Sequence, residues 1–147
     1  MRLGTDFAAA GALMALDARR FRWSAMPAAL QVSGLAVQVA GDILFFLTFR
    51  ENAFLSPAVR VQRERAQTVV TTGPYAVVRH PMYAAFALFA CGTALLLGSW
   101  WGLLGGLVML AMLAWRSVRE ERVLRDELPG YAAYLERVRW RLVPGVW

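Results

Sequence analysis

Two short polar segments of this 147-residue chain carry the residue types that could support chemistry. The first runs from Gly73 to Tyr83 and includes Arg79 and the only histidine, His80. The second runs from Arg116 to Glu121 and ends in the acidic pair Glu120–Glu121. The run between them, residues 82–115, has no charged side chain. If this run crosses a membrane and returns, both polar segments lie on the same side of that membrane.

The charges of the two segments are complementary. Arg79 and His80 stand directly before Pro81, a residue that is favoured in the first turn of a helix. The free N–H groups and the dipole of that helix add positive potential, so this end suits a carboxylate or a phosphate. The Glu120–Glu121 pair suits an ammonium, a sulfonium or ribose hydroxyls. Together the two segments predict a site for a zwitterionic cofactor that carries a positive charge.

Each feature also has a purely structural interpretation. A histidine before a helical proline is often a cap or a hydrogen-bonded structural residue. Arg116 and Glu120 are four residues apart on one helical face, and such pairs are often only surface ion pairs. A functional interpretation depends on the joint placement of these residues at the two ends of one apolar run.

The elements that must position these residues are apolar helices. The chain is 59% hydrophobic, and its mean hydropathy is +0.45, values typical of an integral membrane protein. Residues 28–49 would rise about 33 Å as a helix, enough for a hydrocarbon core of about 30 Å. Residues 82–115 would rise about 51 Å, too far for one span, and the pair Gly98–Ser99 divides them. The sequence therefore predicts an all-α, multi-span membrane bundle with a C-terminal transmembrane helical hairpin and cytoplasmic C-terminal helices.

We expect one membrane domain, since the length favours a single unit. Residues 3–16 contain Asp6 and are too short to span a membrane alone. The predicted segments are a partial N-terminal helix and loop (1–27), a membrane span (28–49), a cytoplasmic loop (50–81), the helical hairpin (82–115) and a cytoplasmic cofactor-binding tail (116–147).

The basic residues predict the orientation. All sixteen are arginine, and they flank the apolar segments instead of forming a separate basic domain, which argues against nucleic acid binding. Three lie between residues 17 and 27, whereas twelve lie in residues 50–81 and 116–147. The positive-inside rule then places the polar segments and the C-terminus in the cytoplasm. We expect a multi-pass protein of a bacterial inner membrane, with no metal and no obligate protein partner.

Small and polar residues at helical spacing predict where helices pack together. One set lies on the span 28–49 and comprises Gln31, Gly34, Gln38, Gly41 and Asp42. The other set comprises Gly98, Gly102 and Gly106. Asp42 has two interpretations, because carboxylates within membranes are often functional but can also be hydrogen-bonded structural residues.

Four segments resemble the isoprenylcysteine carboxyl methyltransferase family: Gly73–Tyr75, Arg79–Tyr83, Glu120–Leu124 and Pro129–Trp147. The related phospholipid N-methyltransferases share part of this pattern. The resemblance covers roughly Asp17 to the C-terminus, and the N-terminal part is short for the family. It implies a membrane enzyme that uses S-adenosylmethionine without a Rossmann domain, in agreement with the lack of a strand–GxGxxG–helix unit here.

The resemblance also implies roles for individual residues. Arg116 matches a position associated with the methyl acceptor, and Gln67 stands where the eukaryotic pattern has histidine. The positions that match cofactor contacts are Gln67, Thr68, Val69, Val70, Tyr75, His80, Pro81, Met82, Tyr83 and Glu120.

The predicted reaction is an in-line methyl transfer to a membrane-soluble acceptor, most simply a carboxylate of isoprenylcysteine type. A carboxylate is already ionised at neutral pH, so Arg116 need only orient it, and His80 helps to position the cofactor. A thiol or amine acceptor would need a base, with His80 or Glu121 as candidates. Other functions compatible with the sequence are phospholipid or amine N-methylation, an NADPH-dependent membrane reductase, and a non-catalytic membrane protein.

Overall fold

The computed structural model describes residues 11–21, 23–56 and 63–147. Four α-helices account for most of this part of the chain: α1 (Ala28–Glu51), α2 (Pro81–Leu97), α3 (Trp100–Glu127) and α4 (Tyr131–Arg137). Shorter helical turns are Leu16–Phe21, Arg63–Arg65 and Gly73–Ala76. The predicted all-helical fold class is thus confirmed for the described residues. Residues 1–10, most of the predicted partial N-terminal helix, lie outside them, as do several of the loop residues and arginines counted above.

The helix boundaries follow local sequence signals. Pro27 precedes α1 and Pro81 opens α2, as expected for a residue that has no N–H to satisfy. Helix α2 ends at Leu97 and α3 begins at Trp100. Gly98 between them adopts a φ of 77°, a left-handed conformation that glycine adopts without strain. Helix α3 then continues past the apolar run through Glu120 to Glu127.

Helices α1 and α3 are long and apolar enough to cross a membrane, and α2 is a shorter apolar helix. Only 17% of the apolar stretch of α1, and the same share of α3, is buried inside the protein. A core helix of a water-soluble protein would be mostly buried, so these exposed apolar surfaces indicate helices surrounded by lipid. The multi-span bundle and the hairpin topology stay predictions.

The described residues divide between two compact units. Unit 1 comprises the described residues up to Asp42 together with Ala85–Leu110, and unit 2 comprises the described residues between 43 and 84 together with Ala111–Trp147. In unit 1 the small-residue face of α1 packs directly against α2. A Cβ added at Gly34 would lie 2.4 Å from the backbone N of Leu96, so the two backbones touch.

Of the polar residues on that face of α1, Gln38 hydrogen-bonds to α2 and Asp42 is exposed. Thr93 of α2 donates its hydroxyl to the Gln38 side-chain oxygen at 2.6 Å. Asp42 is exposed, and the Gln38 amide nitrogen lies 3.4 Å from its nearer carboxylate oxygen. Gly106 faces the Cys91 sulfur, since an added Cβ would lie 3.2 Å from it. The predicted packing role of these glycines is confirmed at Gly34 and Gly106.

Candidate functional site

The residues that could do chemistry are in unit 2. The Gly73–Ala76 turn begins at a glycine with a φ of 56°, which forces the chain into a tight bend. The turn places Tyr75 in the interior, where only 8% of its surface is exposed. Asn52 donates a 2.7 Å hydrogen bond to the Tyr75 hydroxyl, and burial raises the pKa of Tyr75 to about 12.

Tyr75 is also held through its backbone. Tyr134 of α4 donates its hydroxyl to the Tyr75 carbonyl at 2.8 Å. Tyr134 belongs to a hydrophobic cluster with Leu128, Tyr131 and Val138, and Val69 packs against that cluster. The cluster therefore anchors the predicted cofactor-binding loop to α4.

Arg79 fixes the C-terminal segment that follows α4. Its guanidinium donates through Nε to the Val138 carbonyl at 2.7 Å and through Nη2 to the Arg139 carbonyl at 2.8 Å. Its backbone N–H donates to the Trp140 carbonyl at 2.9 Å. These contacts account for the parallel bridge between Val78 and Trp140. The sequence predicts that Arg79 binds an anion, and its local pattern gives no sign of this structural role.

In this structure the Glu121 carboxylate is bound by Arg79, His80 and Arg141. Arg79 Nη1 lies 3.1 Å from each carboxylate oxygen, and Arg141 Nε lies 3.0 Å from Oε2. His80 Nε2 lies 3.3 Å from Oε1. Only 7% of the Glu121 side chain is exposed. The predicted anion-binding residues Arg79 and His80 thus already contact Glu121, one member of the acidic pair.

The contacts of His80 fix its ring. Its backbone N–H donates to the Arg141 carbonyl at 2.9 Å, and its ring stacks on that of Tyr83 with centroids 5.4 Å apart. When Nε2 carries the proton that is donated to Glu121, Nδ1 is left with the lone pair. His80 is buried. Contacts at its backbone N–H, its ring face and Nε2 hold the ring in one orientation.

Glu120 has different surroundings from Glu121. Tyr83 donates its hydroxyl to Glu120 Oε2 at 2.5 Å and accepts from Arg116 Nε at 2.9 Å. Glu120, Tyr83 and Arg116 are all half-buried, so a ligand can reach them. One phenol thus links the predicted cofactor residue Glu120 with the predicted acceptor residue Arg116. The resemblance implies a cofactor contact for Tyr83, and the sequence gives no sign of this bridge.

The other predicted cofactor residues occupy varied positions. Pro81 is fully buried and Met82 is half-buried at the start of α2. In the segment before the turn, Thr68 is exposed, whereas Gln67, Val69 and Val70 are half-buried. Their contacts with a cofactor stay predictions.

Residues that sequence reasoning missed are Asn52, Arg141 and Tyr134. Each acts through a contact with a residue at least twenty positions away in sequence. The resemblance did include the segment containing Tyr134 and Arg141, and that was the only signal for them.

Comparison with known proteins relates this chain to a protein family and to a yeast enzyme. Residues 25–128 match the model of a family described as phospholipid methyltransferase. A protein-S-isoprenylcysteine O-methyltransferase from Schizosaccharomyces pombe is 40% identical over 70 residues. That alignment covers 47% of this chain and 30% of the yeast protein. The family match includes the whole of α1, α2 and α3, and therefore both polar segments.

Proposed function

Because the chain belongs to the phospholipid methyltransferase family, we propose that it is an integral-membrane methyltransferase that uses S-adenosylmethionine. The observation that carries this proposal is the hydrogen-bonded row Glu120, Tyr83 and Arg116. These hydrogen bonds join the Glu120 carboxylate to the Arg116 guanidinium, and all three residues are half-buried. A carboxylate binds ribose hydroxyls and ammonium groups, and a guanidinium binds carboxylates.

The residues present are chemically suited to that cofactor. Glu120 would hold its hydroxyls or ammonium group, and the Tyr83 ring would contribute an aromatic face near the positive charge. S-adenosylmethionine, when bound, supplies an electrophilic methyl group. The protein then has to orient the two reactants and exclude water from them. Glu121, Arg79 and His80 would serve this by holding the Tyr83 ring and the C-terminal segment in place.

We propose a carboxylate of isoprenylcysteine type as the methyl acceptor. The yeast relative, whose name states this activity, is similar over part of this chain. Arg116 would orient the acceptor carboxylate, and an ionised carboxylate needs no base. Glu121 binds two guanidinium groups, which makes it a weak proton acceptor. An acceptor that needs no proton removal is therefore the best suited to these residues.

Amine N-methylation is a second candidate, because the matching family is described as acting on phospholipids. His80 Nδ1 would then be the base, with Glu121 keeping the ring in the required tautomer. The two candidates differ in product chemistry. Alkaline hydrolysis releases methanol from a methyl ester but leaves an N-methyl group intact.

The first test is binding of S-adenosylhomocysteine to purified wild-type protein and to the variants Glu120→Ala and His80→Ala. We expect clear loss in both variants, by about tenfold or more, since each loses a charged or hydrogen-bonded group. The exposed-site variant Glu136→Ala is the control and should bind as wild type does. Binding that is unchanged in Glu120→Ala would remove the site assignment, and NADPH binding in its place would favour a reductase.

The second test supplies radiolabelled S-adenosylmethionine to membranes that contain the protein. We expect label in the lipid-soluble fraction that alkali releases as methanol. Label that resists alkali would indicate N-methylation and would contradict carboxyl methylation. No transfer to any fraction, with cofactor binding intact, would contradict the enzymatic proposal.

A further inference from the structure

Arg141 has hydrogen-bond donors that no described residue uses. Its Nε donates to Glu121 Oε2 at 3.0 Å. The two Nη nitrogens, which carry four of the five N–H groups of a guanidinium, have no hydrogen-bond partner among the described residues. The Arg141 side chain is 30% exposed, whereas that of Arg79 is 12% exposed. Of the two guanidinium groups that pair with Glu121, the one that a ligand can reach is therefore that of Arg141.

The side chains around Glu121 carry more positive than negative charge. Arg79 and Arg141 pair with the Glu121 carboxylate at 3.1 and 3.0 Å. One carboxylate balances only one of these two guanidinium charges, so a net positive charge is left. Water screens it weakly, because only 7% of the Glu121 side chain is exposed. A second anion beside the Nη nitrogens of Arg141 would balance this charge.

Contacts along the C-terminal segment hold Arg141 in one orientation. Its carbonyl accepts from the His80 N–H, and its own N–H donates to the Trp147 backbone oxygen, both at 2.9 Å. The guanidinium lies over the Trp147 ring, with its Cζ 5.0 Å from the ring centroid. Gly145 adopts a φ of 80°, which permits the turn that brings Trp147 back to Arg141. A guanidinium held in this way loses little rotamer freedom when it binds an anion.

Arg141 and the proposed cofactor residues are connected through His80. The Tyr83 ring stacks on the His80 ring with centroids 5.4 Å apart, and the Tyr83 hydroxyl donates to Glu120 Oε2. His80 in turn contacts Arg141 through its backbone N–H and Glu121 through Nε2. The proposed cofactor has ribose hydroxyls in one part and an amino acid carboxylate in another. It therefore needs an anionic partner and a cationic partner, and Glu120 and Arg141 are such a pair.

We propose that Arg141 binds the carboxylate of S-adenosylmethionine through its two Nη nitrogens, and that Trp147 positions the guanidinium. A carboxylate matches the parallel N–H groups of these nitrogens and supplies the second negative charge. Arg79 is less suited, because each of its three nitrogens already donates to an acceptor. This inference rests on the proposed cofactor. It adds the C-terminal segment to a site otherwise built from α2, α3 and the Gly73–Ala76 turn.

The experiment compares S-adenosylhomocysteine with its decarboxylated analogue, which keeps the adenosine, the sulfur and the amine but has no carboxylate. Each ligand is titrated calorimetrically into the detergent-solubilised full chain. We expect the wild-type protein to bind S-adenosylhomocysteine about tenfold more tightly than the analogue, and Arg141→Gln to bind the two ligands equally. Both affinities are measured on the same preparation, so a partial loss of folded protein does not change their ratio.

Three further variants locate the effect. Arg139→Gln removes an exposed guanidinium from the same segment and should keep the wild-type ratio. Arg141→Lys keeps a positive charge beside Glu121 but has no paired Nη nitrogens, and should reduce the ratio severalfold. Trp147→Leu removes the ring over which the guanidinium lies, and should also reduce the ratio.

The outcomes separate this inference from the proposed function. Equal affinities of the two ligands for the wild-type protein, or a wild-type ratio in Arg141→Gln, would overturn the assignment and leave the proposed cofactor in place. If Arg141→Gln does not fold, a wild-type ratio in both Arg141→Lys and Trp147→Leu would overturn it equally. Loss of the ratio in Arg116→Gln alone would assign the cofactor carboxylate to that residue. Wild-type protein that binds neither ligand would contradict the proposed function and this inference with it.

Discussion

Glu120 and Glu121 are neighbours in sequence, but their surroundings differ. Glu121 points into a set of cationic groups and is nearly inaccessible, whereas Glu120 is half-buried and bound by a phenol. Adjacent residues on a helix lie about 100° apart around its axis, so they meet different neighbours. The sequence presented the pair as one negative site. The structure separates a carboxylate that stabilises the fold from one that can receive a ligand.

The first prediction concerns Glu121→Gln. The Glu121, Arg79 and Arg141 side chains are 7%, 12% and 30% exposed, so the variant leaves two poorly solvated cations without their anion. Such a loss costs on the order of 3 kcal/mol, and we expect a melting temperature in detergent lower by about 5–10 °C. Glu136→Gln, at an exposed position of α4, is the matched control and should melt as wild type does. A melting temperature equal to wild type for Glu121→Gln would show that this ion-pair group does not support the fold.

The second prediction concerns Tyr83→Phe. The variant keeps the ring that stacks on His80 but removes the hydroxyl that joins Arg116 to Glu120. We expect little change in melting temperature and about a tenfold weaker binding of S-adenosylhomocysteine, since a charge-assisted hydrogen bond orients Glu120. Tyr134→Phe removes a hydroxyl that anchors the Tyr75 loop and, unlike Tyr83→Phe, should lower the melting temperature. Wild-type affinity in Tyr83→Phe would exclude the bridge from cofactor binding.

At the scale of elements, glycine allows α1 and α2 to touch. A side chain at Gly34 would collide with the backbone of α2, which cannot move aside as a flexible side chain could. In membranes, where lipid is as apolar as leucine, such close packing is a main source of helix association. Gly105 of α3 has open space around it, because an added Cβ would meet no atom within 4 Å.

The third prediction compares these two glycines. We expect Gly34→Ala to lower the melting temperature by several degrees, because overpacking costs about 1–3 kcal/mol. Gly105→Ala should leave it unchanged or raise it slightly, since alanine is the better helix former. Thermal unfolding of both variants in the same detergent gives the comparison. Equal effects of the two changes would contradict the assigned contact between α1 and α2.

The C-terminal segment is the element that sequence patterns described least well. Residues 138–147 are not helical. They contact Arg79 and His80, which precede α2, and Glu121 of α3. No periodicity in that segment predicts such pairing, because its partners lie about sixty residues away. The Pro81 start of α2, by contrast, was evident from the local sequence.

At the scale of the molecule, the arginine distribution predicts the orientation in the membrane. Because twelve arginines in residues 50–81 and 116–147 oppose three in residues 17–27, we expect the C-terminus to be cytoplasmic. A green fluorescent protein fused after Trp147 should fluoresce, and alkaline phosphatase at the same place should be inactive. Phosphatase inserted between Gly98 and Ser99 should be active. The reverse pattern would contradict both the orientation and the hairpin.

Much of the fold was predictable because membrane helices follow from composition. Residues 28–49 and 82–115 could be recognised as apolar helices without any knowledge of their neighbours, and Gly98–Ser99 marked the break. Helix α1 ends at Glu51 and α3 at Glu127, because a helix continues beyond its apolar stretch as long as no residue ends it. The burial of Asp17 against Ser24 and Ser99 was not predicted, because a single carboxylate beside a short apolar segment gives no sign of it.

The sequence by itself determined the helical class, the helix breaks and the identity of the residues that could do chemistry, because these depend on local propensity, hydropathy and residue type. Only the tertiary structure decided the partners of those residues. It brings Arg79 and Arg141 to the Glu121 carboxylate and joins Glu120 to Arg116 through the Tyr83 hydroxyl. The physical reason is that hydrogen bonds and ion pairs depend on distances of about 3 Å, and those distances arise only when remote segments pack together.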